Sequence, residues 1–103
     1  MTLNNDDATG VLKIAGTLDI EGANSLREAL LDCFLHQSEV TLNLSEVDIC
    51  DTAALQVLLA AQKRAAVIGK AFRIYEAPSS VTDTAIALGL AMDWAEKGQD
   101  DAT

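Results

Sequence analysis

The side chains that could act as nucleophile and base are few: two cysteines, Cys33 and Cys50, and one histidine, His36. A cysteine nucleophile needs a base beside it, and His36 ends a helical segment far in sequence from Cys50. Asp51 adjoins Cys50, and its negative charge disfavours a thiolate there. Cys33 falls on an apolar helical stripe, which is typical of a core position. The pattern favours structural cysteines, and two widely spaced cysteines predict neither a disulfide scaffold nor a zinc site.

Asp48 and Asp51 are the carboxylate pair that a hydrolase or a metal could use. The chain has no glycine-rich phosphate loop and no His, Asp and Glu set with ligand spacing. A receiver-type phospho-aspartate site needs clustered acids and a later lysine beyond a strand, and Asp19, Asp51 and Lys70 do not fall in that order. We therefore predict no enzymatic activity, no metal and no cofactor; a small enzyme or ligand-binding protein using Cys50 or Asp51 is the less favoured alternative.

The junction of Asp51 and Thr52 is the most informative point of the sequence. Asp51 suits the N-cap of a long helix, where its carboxylate accepts a hydrogen bond from a free backbone N–H. Thr52 then takes the first helical position. A phosphate there would face free N–H groups and the positive end of the helix dipole, but also the repulsion of Asp48 and Asp51. The residues alone allow both a plain helix start and a displayed, modifiable hydroxyl.

Strands and helices alternate along the chain, so the elements that place this junction can be read from hydrophobic periodicity. The helix before the junction could also start near Glu21, and the strand before it has a polar break at Ser45 and Glu46 ahead of Val47 and Ile49. The order is strand 11–18, helix 22–36, strand 39–44, helix 52–68, strand 71–75, and a helix between Pro78 and Gly89. This order predicts a parallel or mixed sheet covered by helices, with contacts gathered where strands end and helices begin.

The chain has 103 residues, which is enough for one domain, and its net charge is −9. Residues 1–10 predict a frayed segment or an edge strand, 11–94 the domain, and 95–103 a polar tail. The acidic balance argues against nucleic acid and anionic membranes, and no apolar run is long enough for membrane insertion, so we predict a cytoplasmic protein. The acidic residues concentrate in the first half, which indicates either ordinary solubility or a face that meets a basic partner.

Four pieces in order resemble the STAS domains, the bacterial anti-sigma-factor antagonists and their relatives. Leu42-Asn43-Leu44 resembles the family's Leu-x-Leu strand, and Asp51-Thr52-Ala53-Ala54-Leu55 resembles the signature Asp-[Ser/Thr]-[Ser/Thr]-Gly-Leu that opens a helix. Gly16-Thr17-Leu18-Asp19 is similar to the Gly-x-Leu-Asp turn, and Pro78, Val81, Gly89 and Leu90 resemble the third helix and its end. The resemblance spans roughly residues 11–94.

The resemblance implies an α/β fold, a STAS-like mixed sheet of four or five strands with three to five helices packed mainly on one side. It also implies a non-enzymatic regulatory module that binds a partner protein and releases it when the signature Ser or Thr is phosphorylated. The partner would be a serine kinase that is also an anti-sigma factor, a chemotaxis kinase or a transporter ATPase. The implied docking residues are Asp19, Asp48, Asp51, Thr52, Ala53, Ala54 and Gln56.

The signature departs from the family pattern at two positions. Ala53 stands where the second Ser or Thr, commonly the acceptor, is found, and Ala54 replaces the glycine. Thr52 is the remaining candidate phosphorylation site. The variant also resembles stand-alone STAS proteins near chemotaxis kinases and the STAS subunit of the Mla phospholipid-transport ATPase, which implies the alternative of a constitutive docking subunit without a phospho-switch.

Overall fold

A four-stranded mixed sheet and three helices make up the part of the chain that the computed structural model describes, residues 2–6, 9–90 and 92. The sheet order is β1-β2-β3-β4, with β1 antiparallel to β2 and the other neighbours parallel. The elements are β1 (Thr2–Asp6), β2 (Val11–Leu18), α1 (Ile20–His36), β3 (Glu39–Cys50), α2 (Thr52–Ile68), β4 (Ala71–Tyr75) and α3 (Ser79–Ala87).

The helices share one core with a single face of the sheet. Alternate strand residues enter that core, and one stripe of each helix meets them. Its largest fully buried side chains are Ile14, Leu18, Leu26, Val40, Leu42, Leu44, Leu55, Leu58, Ile74 and Val81. The other sheet face is polar, with ion pairs Lys13–Glu46 at 2.9 Å and Arg73–Glu39 at 3.6 Å. The predicted mixed sheet with helices on one side is confirmed.

Helix α2 has the bounds that its sequence predicts. The carboxylate of Asp51 accepts a hydrogen bond from the Ala53 backbone N–H at 3.0 Å, which caps the first turn. Gly69 ends the helix with a φ of +74°, a left-handed conformation that glycine adopts without steric cost. In the described part of the chain, every helix is too short or too polar to cross a bilayer.

Several expectations need adjustment. Helix α1 starts at Ile20, not at residue 22, because Asp19 is its N-cap. Strand β3 continues through Ser45 and Glu46, since two register irregularities against β2 absorb the polar break. Residues 2–6 form the edge strand rather than a frayed segment. The predicted polar tail 95–103 lies outside the described residues. Leu90 and Met92, near the end of the predicted domain, have no regular structure.

Candidate docking site

Two helices begin at the same edge of the sheet, one strand apart. Leu18 ends β2 and pairs with Cys50, which ends the parallel neighbour β3. The Asp51 backbone N–H donates to the Leu18 carbonyl at 2.8 Å. This hydrogen bond connects the start of α2 to the end of β2. The first turns of α1 and α2 therefore emerge side by side, as the alternation of strands and helices predicts.

Both helices begin with an aspartate cap. Asp19 Oδ1 accepts from the Gly22 N–H at 2.8 Å, and Asp51 Oδ1 accepts from the Ala53 N–H at 3.0 Å. Each bond satisfies one of the backbone donors that a helix leaves free at its start. Asp19 is exposed and Asp51 is half-buried, so both carboxylates also contribute negative charge to this surface.

Thr52 and Gln56 lie one helical turn apart on α2 and are both exposed, while Ala53 is half-buried. The Thr52 hydroxyl is therefore displayed at the first position of the helix. Ala54 is fully buried in the core beside Leu55. Its inclusion in the docking set was wrong, because its methyl group lies in the core and a partner has no access to it.

Asp48 and Ile49 bring the end of β3 into the same surface. Val47 and Ile49 pair with the consecutive residues Gly16 and Thr17, so Asp48 is the extra residue of a bulge and its side chain is exposed. Bulges of this kind redirect side chains at the edge of a sheet. Thr17, the partner of Ile49, alternates with buried Leu18, which places Ile49 on the open face of the sheet.

Two large apolar side chains complete the surface, and the sequence gives no reason to expect them there. Ile20 is 69% exposed and Ile49 is 60% exposed. Both are isoleucines beside apolar segments, a pattern that predicts core positions, and only their places at the two strand-helix junctions could have pointed to the surface. We call the set Asp19, Ile20, Asp48, Ile49, Asp51, Thr52, Ala53 and Gln56 the docking corner.

Cys50 lies beneath this corner but is not equipped as a nucleophile. Burial, together with the charge of Asp51, raises the pKa of its thiol to about 11, so the thiol is neutral at physiological pH. His36 lies at the other end of α1, where its Nδ1 is 3.1 Å from Asp32 Oδ1. The structure does not bring the histidine and Cys50 together. Across the described residues, no three His, Cys, Asp or Glu side chains are grouped closely enough to hold a metal ion.

The family model described as "Mlab, STAS domain" matches residues 1–92. The chain belongs to the STAS domain family. The match includes β1 in addition to the elements that carried the resemblance. A comparison with curated proteins gives no match.

Several solved structures similar to this STAS domain are described as anti-sigma-factor antagonists. An antagonist from Mycobacterium paratuberculosis matches with a TM-score of 0.74 and 18% identity, covering 98% of this chain and 87% of its own. A substituted RsbS from Moorella thermoacetica matches with a TM-score of 0.73 and 23% identity, covering 97% and 92%. The Bacillus cell-fate determinant SpoIIAA, in its phosphorylated form, matches with a TM-score of 0.67 and 12% identity, covering 89% and 85%. At these identities the likeness establishes the fold.

Proposed function

We propose that this STAS domain is a regulatory protein-binding module that docks a partner ATPase or kinase through the docking corner. The observation that carries the proposal is the exposure of Thr52 at the strand-helix edge that also carries two exposed isoleucines and two aspartate helix caps. Apolar anchors surrounded by polar groups are the usual composition of a binding surface. The STAS family and its antagonist neighbours support a role in partner binding.

The charge at the corner specifies the kind of partner surface. Asp19, Asp48 and Asp51 lie at the same edge of the sheet in a chain whose net charge is −9. A basic partner surface is attracted to them, and such attraction raises the association rate and weakens in salt. We expect the association rate to fall as ionic strength increases, whereas an association indifferent to salt contradicts this part of the proposal.

Phosphorylation of Thr52 is the proposed switch. A phosphate adds bulk and roughly 1.5 to 2 negative charges beside Asp51. Its charge alone would favour a basic partner, so in this proposal release follows from the bulk, which keeps the partner away from the apolar side chains of Ile20 and Ile49. The position of the phosphate at the start of α2 also lets backbone N–H groups stabilise it. SpoIIAA, which shares the fold, is described in both phosphorylated and unphosphorylated forms, and this supports a covalent switch on the same scaffold.

The alternative is constitutive docking without a switch, as in the STAS subunit of a phospholipid-transport ATPase. The match to the Mlab-type family model favours it. So does Ala53, which leaves no hydroxyl at the position where the family commonly has its acceptor. The two functions use the same docking corner and differ in whether Thr52 is modified.

Matched variants test the docking corner. Thr52→Glu places bulk and charge in the corner, and Ile20→Ser removes an apolar anchor; Ser38→Glu adds the same charge at an exposed residue on the opposite edge. We expect pull-downs from the native cell to retain the same proteins with wild type and Ser38→Glu and to lose them with the two corner variants. Equal retention by all four proteins would remove the corner from the interface.

Two further measurements separate the switch from constitutive docking. Mass spectrometry of the protein isolated from its cell detects a phosphate on Thr52 if the switch operates. Thr52→Val keeps the shape of the side chain but cannot be phosphorylated. Under the switch this variant stays bound in conditions that release wild type, and under constitutive docking the two proteins behave alike.

A further inference from the structure

A groove of about 400 Å³ runs between α1 and α2. Leu30, Leu31 and Phe34 form its wall on α1, and the wall on α2 is lower because Ala60 and Ala61 have short side chains. Leu31 is 50% exposed, so the groove offers apolar surface to solvent. Its remaining apolar contribution comes from Val57, and it meets the docking corner only at Gln56.

The charge of the groove is opposite to that of the whole protein. Arg27 lines it from α1 and Arg64 from α2, and no carboxylate is among the lining residues. Other cations are engaged elsewhere: Lys13 and Arg73 form ion pairs, and Lys70 donates to backbone carbonyls. Of the lysines and arginines in the described ranges, Arg27, Lys63 and Arg64 form neither an ion pair nor a side-chain hydrogen bond with a described residue. Two of these three lie on the walls of the groove.

We propose that the groove binds a single-chain anionic amphiphile. Its alkyl chain lies along the apolar walls, and its carboxylate contacts the guanidinium groups of Arg27 and Arg64. Guanidinium groups bind carboxylates through paired, charge-assisted hydrogen bonds. The combination of mainly apolar lining and a few polar groups that fix orientation is typical of small-molecule sites, and the volume falls in their range of roughly 300 to 1,000 Å³.

The size and charge of the groove favour this occupant over a protein. A stable protein contact involves roughly 20 to 30 residues on each partner, whereas nine residues line this groove. A second copy of this chain would bring a net charge of −9 toward its first copy, and mutual repulsion opposes that pairing.

Three probes with the same ten-carbon chain test the charge requirement: decanoate, decanol and decyltrimethylammonium. Each is titrated into isotopically labelled protein at neutral pH and low salt, and binding is followed by the amide signals in two-dimensional NMR. We expect decanoate to shift signals of the groove residues and to bind about tenfold more tightly than decyltrimethylammonium, a difference equivalent to one well-placed ion pair. Equal binding of both ions, shifts centred on the docking corner, or no shift at millimolar decanoate would overturn the proposal.

Variants assign the two parts of the site. Arg27→Gln combined with Arg64→Gln is expected to weaken decanoate binding about tenfold and to remove the preference for the anion. Lys63→Gln, on the same helix but outside the groove, is the matched control and should stay within twofold of wild type. Ala60→Phe, at an exposed wall position, should exclude all three probes while the circular dichroism spectrum stays native. Unchanged decanoate affinity in the double arginine variant contradicts the proposal. So does a wild-type protein that is dimeric without any probe, if Ala60→Phe makes it monomeric.

Discussion

The helix ends at the two edges of the sheet are hydrogen-bonded in different ways. At the docking corner, each helix start is capped by the aspartate directly before it, Asp19 or Asp51. At the opposite edge, Lys70 reaches from the start of β4 to the end of α1 and donates to the carbonyls of Phe34 and Gln37, the second at 2.7 Å. At the docking corner both caps come from neighbours in sequence, whereas at the opposite edge the local end of α2 at Gly69 is joined by a contact that spans more than thirty residues.

Because of this difference, we assign binding to the docking corner and stability to the Lys70 contacts at the opposite edge. Local caps leave the surrounding side chains exposed and replaceable, and the corner can therefore carry Thr52, Ile20 and Ile49 without depending on them for folding. The lysine at the opposite edge connects α1 to the strand that follows α2, so its loss affects two elements at once. In open α/β sheets, function generally gathers at the carboxyl ends of the strands.

The largest effect is expected from Lys70→Met, which keeps the apolar length of the side chain and removes the charged donor. Two carbonyls at the end of α1 lose their partner, and we expect the free energy of unfolding to fall by about 2 kcal/mol, since hydrogen bonds from charged groups contribute about 1.5 to 3. Urea unfolding measures the change. Lys63→Met, at an exposed position of α2, is the control and should change stability by less than about 0.5 kcal/mol. Equal losses in the two variants would show that the Lys70 contacts do not stabilise the fold.

A smaller effect is expected at the capped edge. Asp51→Ala should reduce the free energy of unfolding by about 1 kcal/mol, and Asp19→Ala by less, because Asp19 is more exposed. Asparagine also caps helices well, so Asp51→Asn should stay within a few tenths of a kcal/mol of wild type by urea unfolding. The asparagine variant removes the charge but keeps the cap. We therefore expect the partner protein to associate more slowly with Asp51→Asn than with wild type, although the two are equally stable. Loss of stability in Asp51→Asn equal to that in Asp51→Ala would show that the charge, not the cap, stabilises the start of α2.

The contrast between the edges also explains how far the sequence predicts this molecule. Helix α2 was predictable to its ends because Asp51 and Gly69 are local signals. The sequence allowed α1 to start at residue 22 or near Glu21; the observed start at Ile20 is earlier because Asp19, assigned to a turn, is the helix cap. Lys70 binds carbonyls that are near it only in the folded chain, so no local pattern predicts these contacts.

The docking corner was predictable in part for the same reason. The junction at Asp51 and Thr52 follows from cap chemistry within a few residues. The exposure of Ile20 and Ile49 and the burial of Ala54 follow from how α2 rotates against the sheet and from the bulge at Asp48. Both depend on tertiary packing. The residue type alone does not reveal them, because an apolar side chain by itself indicates a core position.

The smallest effect is expected from Cys50, the one side chain at the corner with nucleophilic chemistry. Its pKa of about 11 exceeds the ordinary thiol value of 9.0, so at pH 8 the thiolate is roughly a hundredfold scarcer than in an unperturbed cysteine. Native protein should therefore react with iodoacetamide very slowly at Cys50, measured by mass spectrometry of the peptide. Because the folded state favours the neutral thiol, the stability it contributes is intact below pH 9 and is lost as pH rises toward 11.

Removing the thiol tests whether the corner acts by docking or by chemistry. Cys50 is only 6% exposed, so Cys50→Ala leaves the docking corner unchanged and should retain the wild-type partner affinity. The same substitution abolishes any activity that depends on the sulfur. Rapid alkylation at pH 8, or partner binding lost in Cys50→Ala while the fold persists, would shift the corner from a docking surface toward a reactive site and reverse the contrast between its exposed hydroxyl and its buried thiol.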